Sequence, residues 1–140
     1  MEIKKCVGAV IYDDDGKIFL MKHYKWKGWL VPGGEQRADE TEIDALKREI
    51  KEEMGISIIK VIKVGEKVKQ PSSDYKDNNL KFHFLDYFAK AVTTDITPNQ
   101  EVKEHGWFTI DEALKLDLLD TTRQFIEQFK MYVSSGLVKF

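Results

Sequence analysis

The chain has 140 residues, enough for one compact domain and a single core. Its 22 Lys+Arg against 24 Asp+Glu leave a formal net charge of -2, so no broad field draws it onto a nucleic-acid polymer or an anionic membrane, and a nucleotide would have to be recognised locally. Cys6 is the only cysteine, which rules out an internal disulfide and agrees with a reducing cytoplasm. No apolar run approaches the roughly 20 residues that cross a bilayer.

The two lysines and short apolar run at the N-terminus lead directly into Asp13, Asp14 and Asp15 without a small-residue cleavage site. They read as a strand and turn rather than a secretion signal. Lys5 to Tyr12 and Lys17 to Lys22 are predicted to form a hairpin closed at Gly16. Trp29-Leu30-Val31 is a short apolar segment, and Pro32-Gly33-Gly34 is a break. Thr41 to Met54 changes to helical periodicity and ends at Gly55, where a left-handed cap is expected. Ile56 to Val68 is β-branched and partly alternating. Gln70 to Asn79 is a polar loop of a length that suggests a substrate-facing role. Leu80 to Val92 reads as a long strand, Thr93 to Lys103 as a second polar loop, and Trp107 to Ile110 as a short strand. Asp111 is expected to cap a brief helix through Leu116. Thr121 to Val133 carries Phe125, Ile126, Phe129 and Val133 at helical spacing. The pattern implies an α/β protein with its sheet covered on both faces.

At about 100° per residue, Ile43, Leu46, Ile50 and Met54 form one apolar stripe that should face the sheet. Asp44, Lys47 and Lys51 lie beyond one edge. Glu49, Glu52 and Glu53 lie beyond the other, at the i, i+3, i+4 spacing that sets side chains side by side. The bland reading is a solvated acidic face. The other is a carboxylate cluster whose mutual repulsion a hard cation would turn into coordination, in the oxygen-rich manner of Mg²⁺. Geometry alone leaves both open.

The run from Gly34 to Ile56 contains Gly34, Glu40, then Arg48-Glu49-Ile50-Lys51-Glu52-Glu53-Met54-Gly55-Ile56. It resembles the Nudix box without a departure, and Trp29 to Gly33 and Trp107-Phe108 are similar to the family as well. The resemblance implies an α/β/α sandwich with a mixed β-sheet, spanning residues 1–140 as one domain. It implies Mg²⁺-dependent (or Mn²⁺-dependent) hydrolysis of a diphosphate bond in a nucleoside diphosphate linked to another group. By motif position Glu49, Glu52 and Glu53 would bind metal, and Arg48 and Glu40 would brace the loop. The catalytic set would be Glu53, Glu52, Arg48 and Glu101, with the general base open between Glu53 and the loop acids Glu101 and Glu104.

Nucleoside triphosphates, oxidised nucleotides and dinucleoside polyphosphates suit a small chain without insertions. Pro71 points instead toward ADP-ribose or nucleotide-sugar substrates, and Tyr75 toward dinucleoside polyphosphates. An isopentenyl diphosphate isomerase would need a cysteine near the box, and Cys6 reads as a small core residue. A non-catalytic nucleotide-binding module would be expected to have lost box acids, and none is missing. His23, His83 and His105 lack metal-ligand spacing and read as surface or packing residues, with His23 within reach of a substrate phosphate. Tyr24 and Trp26, among Lys22, Lys25 and Lys27, could stack on a base. The oligomeric state is left open, a homodimer included.

Overall fold

A computed structural model describes residues 2–69 and 80–140. The elements run β1 (Glu2–Tyr12), β2 (Ile18–His23), β3 (Gly33–Glu35), α1 (Glu42–Met54), β4 (Ile58–Lys69), β5 (Leu80–Ala91), β6 (Val102–Phe108), α2 (Ile110–Ala113) and α3 (Asp120–Ser134). The sheet order is β4-β5-β1-β2-β6, with β3 added beside β1. The β1–β5 pairing is parallel and the others are antiparallel, so the sheet is mixed.

The central strand shows why the layers form. Side chains alternate along a strand, and a strand covered on both faces reads as nearly continuous apolar sequence. Val7, Ala9 and Ile11 of β1 join Phe19, Met21, Leu85, Tyr87 and Ala89 beneath Ala45, Leu46, Ile50 and Met54 of α1. Val10 and Tyr12 join Ile18, Leu20 and Phe88 beneath Phe125, Ile126 and Phe129 of α3. The expected α/β/α sandwich is therefore present. Among the described residues no helix is long and apolar enough to cross a membrane.

Several expectations need correction. Pro32-Gly33-Gly34 is not only a break, because Gly33–Glu35 pairs antiparallel with β1. A Cβ on Gly33 would run into the Val7 carbonyl oxygen, so this close pairing needs the missing side chain. Residues Val102–Phe108 form one seven-residue strand, longer than the segment expected from Trp107. It lies at the sheet edge with Lys103, Glu104 and His105 exposed, and an edge strand tolerates polar residues that mask its periodicity. The cap of α2 is Thr109 rather than Asp111. Its hydroxyl accepts from the Glu112 N–H while Glu112 accepts from the Thr109 N–H, a reciprocal capping box. Ile43 is 41% exposed. The buried face of α1 comprises Ala45, Leu46, Ile50, Glu53 and Met54, which turns it by roughly 50° toward the glutamate edge at 100° per residue. Pro71 and Tyr75, with the loop from Gln70 to Asn79, lie outside the described residues.

The two ends of α1 locate everything that follows. Thr41 Oγ1 accepts from the Asp44 N–H, and Gly55 closes the helix at φ 71 in the left-handed region. The loop before β6 docks on that end: the Thr97 N–H donates to the Met54 carbonyl at 2.8 Å. A Cβ on Gly55 would sit 3.1 Å from Thr97. Gly55→Ala should therefore lower stability by about 1–2 kcal/mol through the left-handed backbone alone, read from the denaturant midpoint. Crowding of Thr97 should show as shifted backbone signals for residues 96–101.

Candidate active site

β3 and α1 meet at the Gly33 and Gly34 backbone. The Gly33 N–H donates to Glu53 Oε1 at 2.8 Å. A Cβ on Gly34 would overlap the Glu49 carboxylate, so the glycine leaves the space that this acid fills. Arg48, one residue earlier on the helix, ties loop to helix. Its Nε and Nη2 donate to the two oxygens of Glu40 at 2.6 and 2.8 Å, and Nη2 also donates to the Glu35 carbonyl at 3.0 Å. Its Nη1 donates to Glu49 at 2.8 Å and lies 3.4 Å from Glu52. A planar guanidinium makes this forked contact where a lysine could not. Arg48, followed by the Arg37 N–H, holds the Glu40 carboxyl down to about 2. The bracing expected of Arg48 and Glu40 has a direct geometric counterpart.

The three helix acids differ in environment. Glu52 is exposed. Glu49 is half-buried and its pKa is raised, by burial first, with Arg48 opposing and the Glu52 and Glu101 charges adding. Glu53 is only 2% exposed and its pKa is raised well above the ordinary carboxylate value. Burial is the main cause, the Gly33 N–H opposes it, and the charges of Glu49, Glu101 and Glu52 reinforce it. An exposed like-charge pair costs only a few tenths of a kcal/mol. Desolvation is the larger effect here, and it singles out Glu53.

Glu101 joins this group and Glu104 does not. The β2–β6 register pairs Lys22 with Glu104 and then His23 with Val102, so Lys103 is the extra residue of a bulge. Such a bulge re-aims the chain. Glu104 lies in β6, not in a loop, and pairs with Lys22 at 3.1 Å. Lys22 in turn sits over Trp29, whose ring packs on the α3 side. Glu101, just before β6, reaches His23 Nε2 at 2.9 Å. Ligand atoms of His23, Glu53 and Glu101 lie within 4.8 Å of one another.

The sequence reads His23 as a surface or packing residue within reach of a substrate phosphate; its side chain is only 10% exposed and lines the site. It continues the Phe19, Met21 alternation, and that was the signal available in the sequence. Cys6 also lines the cavity, where burial, then the charges of Glu35 and Glu49, push its thiol up to about 12. A thiol so held is a poor nucleophile.

These groups surround a cavity of about 630 Å³ that also touches Lys4, Lys25, Trp26, Arg37 and Phe82. A second cavity, about 110 Å³, lies between the sheet and the start of α3, against Phe84, Asp86, Thr122 and Phe125. Cys6, Trp26, Leu30, Gly33 and Gly34 line both. One compartment is polar and acidic, and its neighbour is largely apolar.

A NUDIX domain profile matches residues 3–129. The chain belongs to the NUDIX family. Among curated NUDIX relatives, the nucleoside triphosphatase NudI of Enterobacter sp. (strain 638) is 27% identical over 130 residues, covering 86% of this chain and 92% of the relative. The RNA pyrophosphohydrolase of Xanthomonas campestris pv. campestris (strain B100) is 38% identical over 50 residues, covering 36% of this chain and 24% of the relative. The chain thus spans about a quarter of that relative's length. Among solved structures, the MutT NUDIX hydrolase from Burkholderia pseudomallei has a TM-score of 0.78 at 26% identity, covering 91% of this chain and 98% of that one. The NUDIX domain of Shewanella oneidensis NrtR, complexed with ADP ribose, has a TM-score of 0.78 at 18% identity, covering 95% of this chain and 90% of that one. It shares the fold.

NUDIX hydrolases use divalent metals, and the donor set fits one. Five carboxylates line the cavity with Arg48 bound on its loop side, and burial together with its neighbours disfavours the charged form of Glu53. For an acid whose folded pKa is raised, the stability is full below the unfolded value and is lost as pH rises through the folded one. Metal-free protein should therefore lose stability relative to Glu53→Gln as pH rises from the acidic range through neutrality. Melting curves of both proteins in chelator across that range measure the difference. A variant that melts no higher than wild type at neutral pH would contradict the burial described.

Proposed function

We propose that the chain hydrolyses a diphosphate bond in a nucleoside diphosphate linked to another moiety, with residues 1–140 acting as one NUDIX domain. The observation carrying this reading is the adjacency of the two cavities: a carboxylate cluster with Glu53 buried at its centre lines one, an apolar compartment with aromatic residues is its neighbour, and Cys6, Trp26, Leu30, Gly33 and Gly34 line both. A phosphate chain and a nucleoside need such neighbouring compartments. Nucleoside triphosphates, oxidised ones included, and dinucleoside polyphosphates are the substrates this arrangement suits. NudI, the relative covered over most of its length, is named a nucleoside triphosphatase, an activity of the same kind.

Glu49, Glu52 and Glu53 would hold Mg²⁺ or Mn²⁺, for which an all-oxygen set is appropriate. Such an ion, when bound, neutralises phosphate charge and lowers the pKa of water. Lys25, Arg37 and Arg48 border the same cavity and would share the neutralisation of the phosphate oxygens. Arg48 keeps Glu49 and Glu52 turned toward the substrate. Glu101 is the general base in this reading: it is the more exposed of the two cavity carboxylates that come together, and it can exchange protons with solvent while Glu53 stays enclosed.

The deciding measurement is phosphate and pyrophosphate release with Mg²⁺ across nucleoside triphosphates, dinucleoside polyphosphates, ADP-ribose and 5′-triphosphorylated RNA. Turnover of at least one, abolished by chelator, is expected. Nucleotide binding with no turnover of any would favour a recognition module. Glu53→Gln and Glu101→Gln should each lower kcat by about 10²–10⁴-fold. Trp26→Ala should act mainly on KM, raising it by about tenfold, within the roughly 1–3 kcal/mol of base stacking.

A further inference from the structure

His23 is held on three sides. It ends β2, and its Nδ1 accepts the backbone N–H of Lys25 at 3.1 Å, within the turn that follows the strand. The Tyr24 ring stacks on it at 4.7 Å and 21°. Its Nε2 is 2.9 Å from Glu101 Oε2. A backbone N–H can only donate, so Nδ1 must present its lone pair, and the proton of the neutral ring sits on Nε2. The Nε2–H then donates to the Glu101 carboxylate. Doubly protonated, the ring would set Nδ1–H against the Lys25 N–H.

The same polarity argues against a direct role as a metal ligand, despite the 4.8 Å grouping with Glu53 and Glu101. A ligating histidine coordinates through one nitrogen and donates a proton from the other, to a carboxylate or carbonyl. Here the other nitrogen faces a donor. Glu101, by contrast, needs support. Its side chain is 46% exposed, and a flexible exposed glutamate loses rotamer freedom when fixed. Its backbone is set by Asn99, whose Oδ1 accepts the Glu101 N–H at 3.0 Å, but that leaves the side-chain torsions free.

We propose that His23 is a positioning residue for the hydrolysis: as a fixed Nε2–H donor it orients the Glu101 carboxylate toward Glu53, and it binds no metal. The proposal rests on the hydrolase reading for its effect on rate, and on the geometry alone for its tautomer.

Two isosteres separate the two nitrogens. Glutamine places an amide N–H near Nε2 and can donate to Glu101. Asparagine places a carbonyl near Nδ1 and can accept from Lys25, without reaching Glu101. His23→Ala and His23→Asn should lower kcat by about 10–100-fold, the usual effect of an outer hydrogen-bond partner, with KM little changed. His23→Gln should recover most of the rate. Rescue by His23→Asn instead would make the role one of turn structure and overturn the proposal, as would full activity of His23→Ala.

Long-range ¹H–¹⁵N spectra of the 140-residue chain should show the Nε2–H tautomer for His23, retained at saturating Mg²⁺. The Glu101 carboxyl ¹³C signal should move in His23→Ala and His23→Asn but not in His23→Gln. Mn²⁺ titrated by electron paramagnetic resonance should bind His23→Ala as it binds wild type and bind Glu53→Gln far more weakly. An Nδ1–H tautomer, or loss of Mn²⁺ binding in His23→Ala, would overturn the proposal. If wild type turns over no nucleotide, the hydrolase reading fails separately, and the spectra still decide whether His23 orients Glu101.

Discussion

One guanidinium organises the acidic end of this molecule. Arg48 grips both oxygens of Glu40, the Glu35 carbonyl, and Glu49, with Glu52 at longer range. Those groups come from β3, from the loop that follows it and from α1. A multi-pronged cation at that point holds the loop against a helix whose facing surface carries the same sign of charge. The loop makes its own contribution, since the Arg37 N–H donates to Glu40 and Gln36 bonds the Glu40 carbonyl. These contacts fix Glu40, and Glu40 fixes the guanidinium.

The clamp compensates only part of the negative charge. Glu53 lies behind Glu49, out of reach of Arg48's hydrogen bonds, and has the Gly33 N–H as its partner. One neutral donor does not offset burial plus three nearby carboxylates. The fold therefore carries an electrostatic defect at a fixed address, and the well-packed clusters on the two sheet faces supply the stability that tolerates it. In the proposed function a cation held there would relieve the defect, and would couple stability to ligand binding through the same carboxylate.

How much of this was legible in the sequence depends on range. The hairpin, α1 with its glycine cap, α3 and the two-sided sheet follow from local periodicity and turn chemistry, and they stand as expected. The box acids converge on one cavity as their spacing implied. The angle at which α1 sits was not legible. Counting apolar residues put Ile43 at the stripe and the glutamates at its edge, whereas packing buries Ala45 and Glu53 and exposes Ile43. A small residue admits close approach, and the helix rolls toward it. The first half of β6 was not legible because an edge strand needs few apolar side chains. The contact of His23 with Glu101 was not legible because the two are 78 residues apart and meet only through sheet pairing.

The bulge at Lys103 also has a meaning for how such a chain can change. Glu101 and Glu104 are the same residue three positions apart, and no property of the side chains decides between them. Counting does: one surplus residue in the ladder sends Glu104 to Lys22 and frees Glu101 for the cavity. Insertions or deletions at this point would exchange the acid presented to the site without replacing any residue. Related chains could thus reach different loop acids through length variation, while the helix acids, locked in an uninterrupted turn pattern, could change only by substitution.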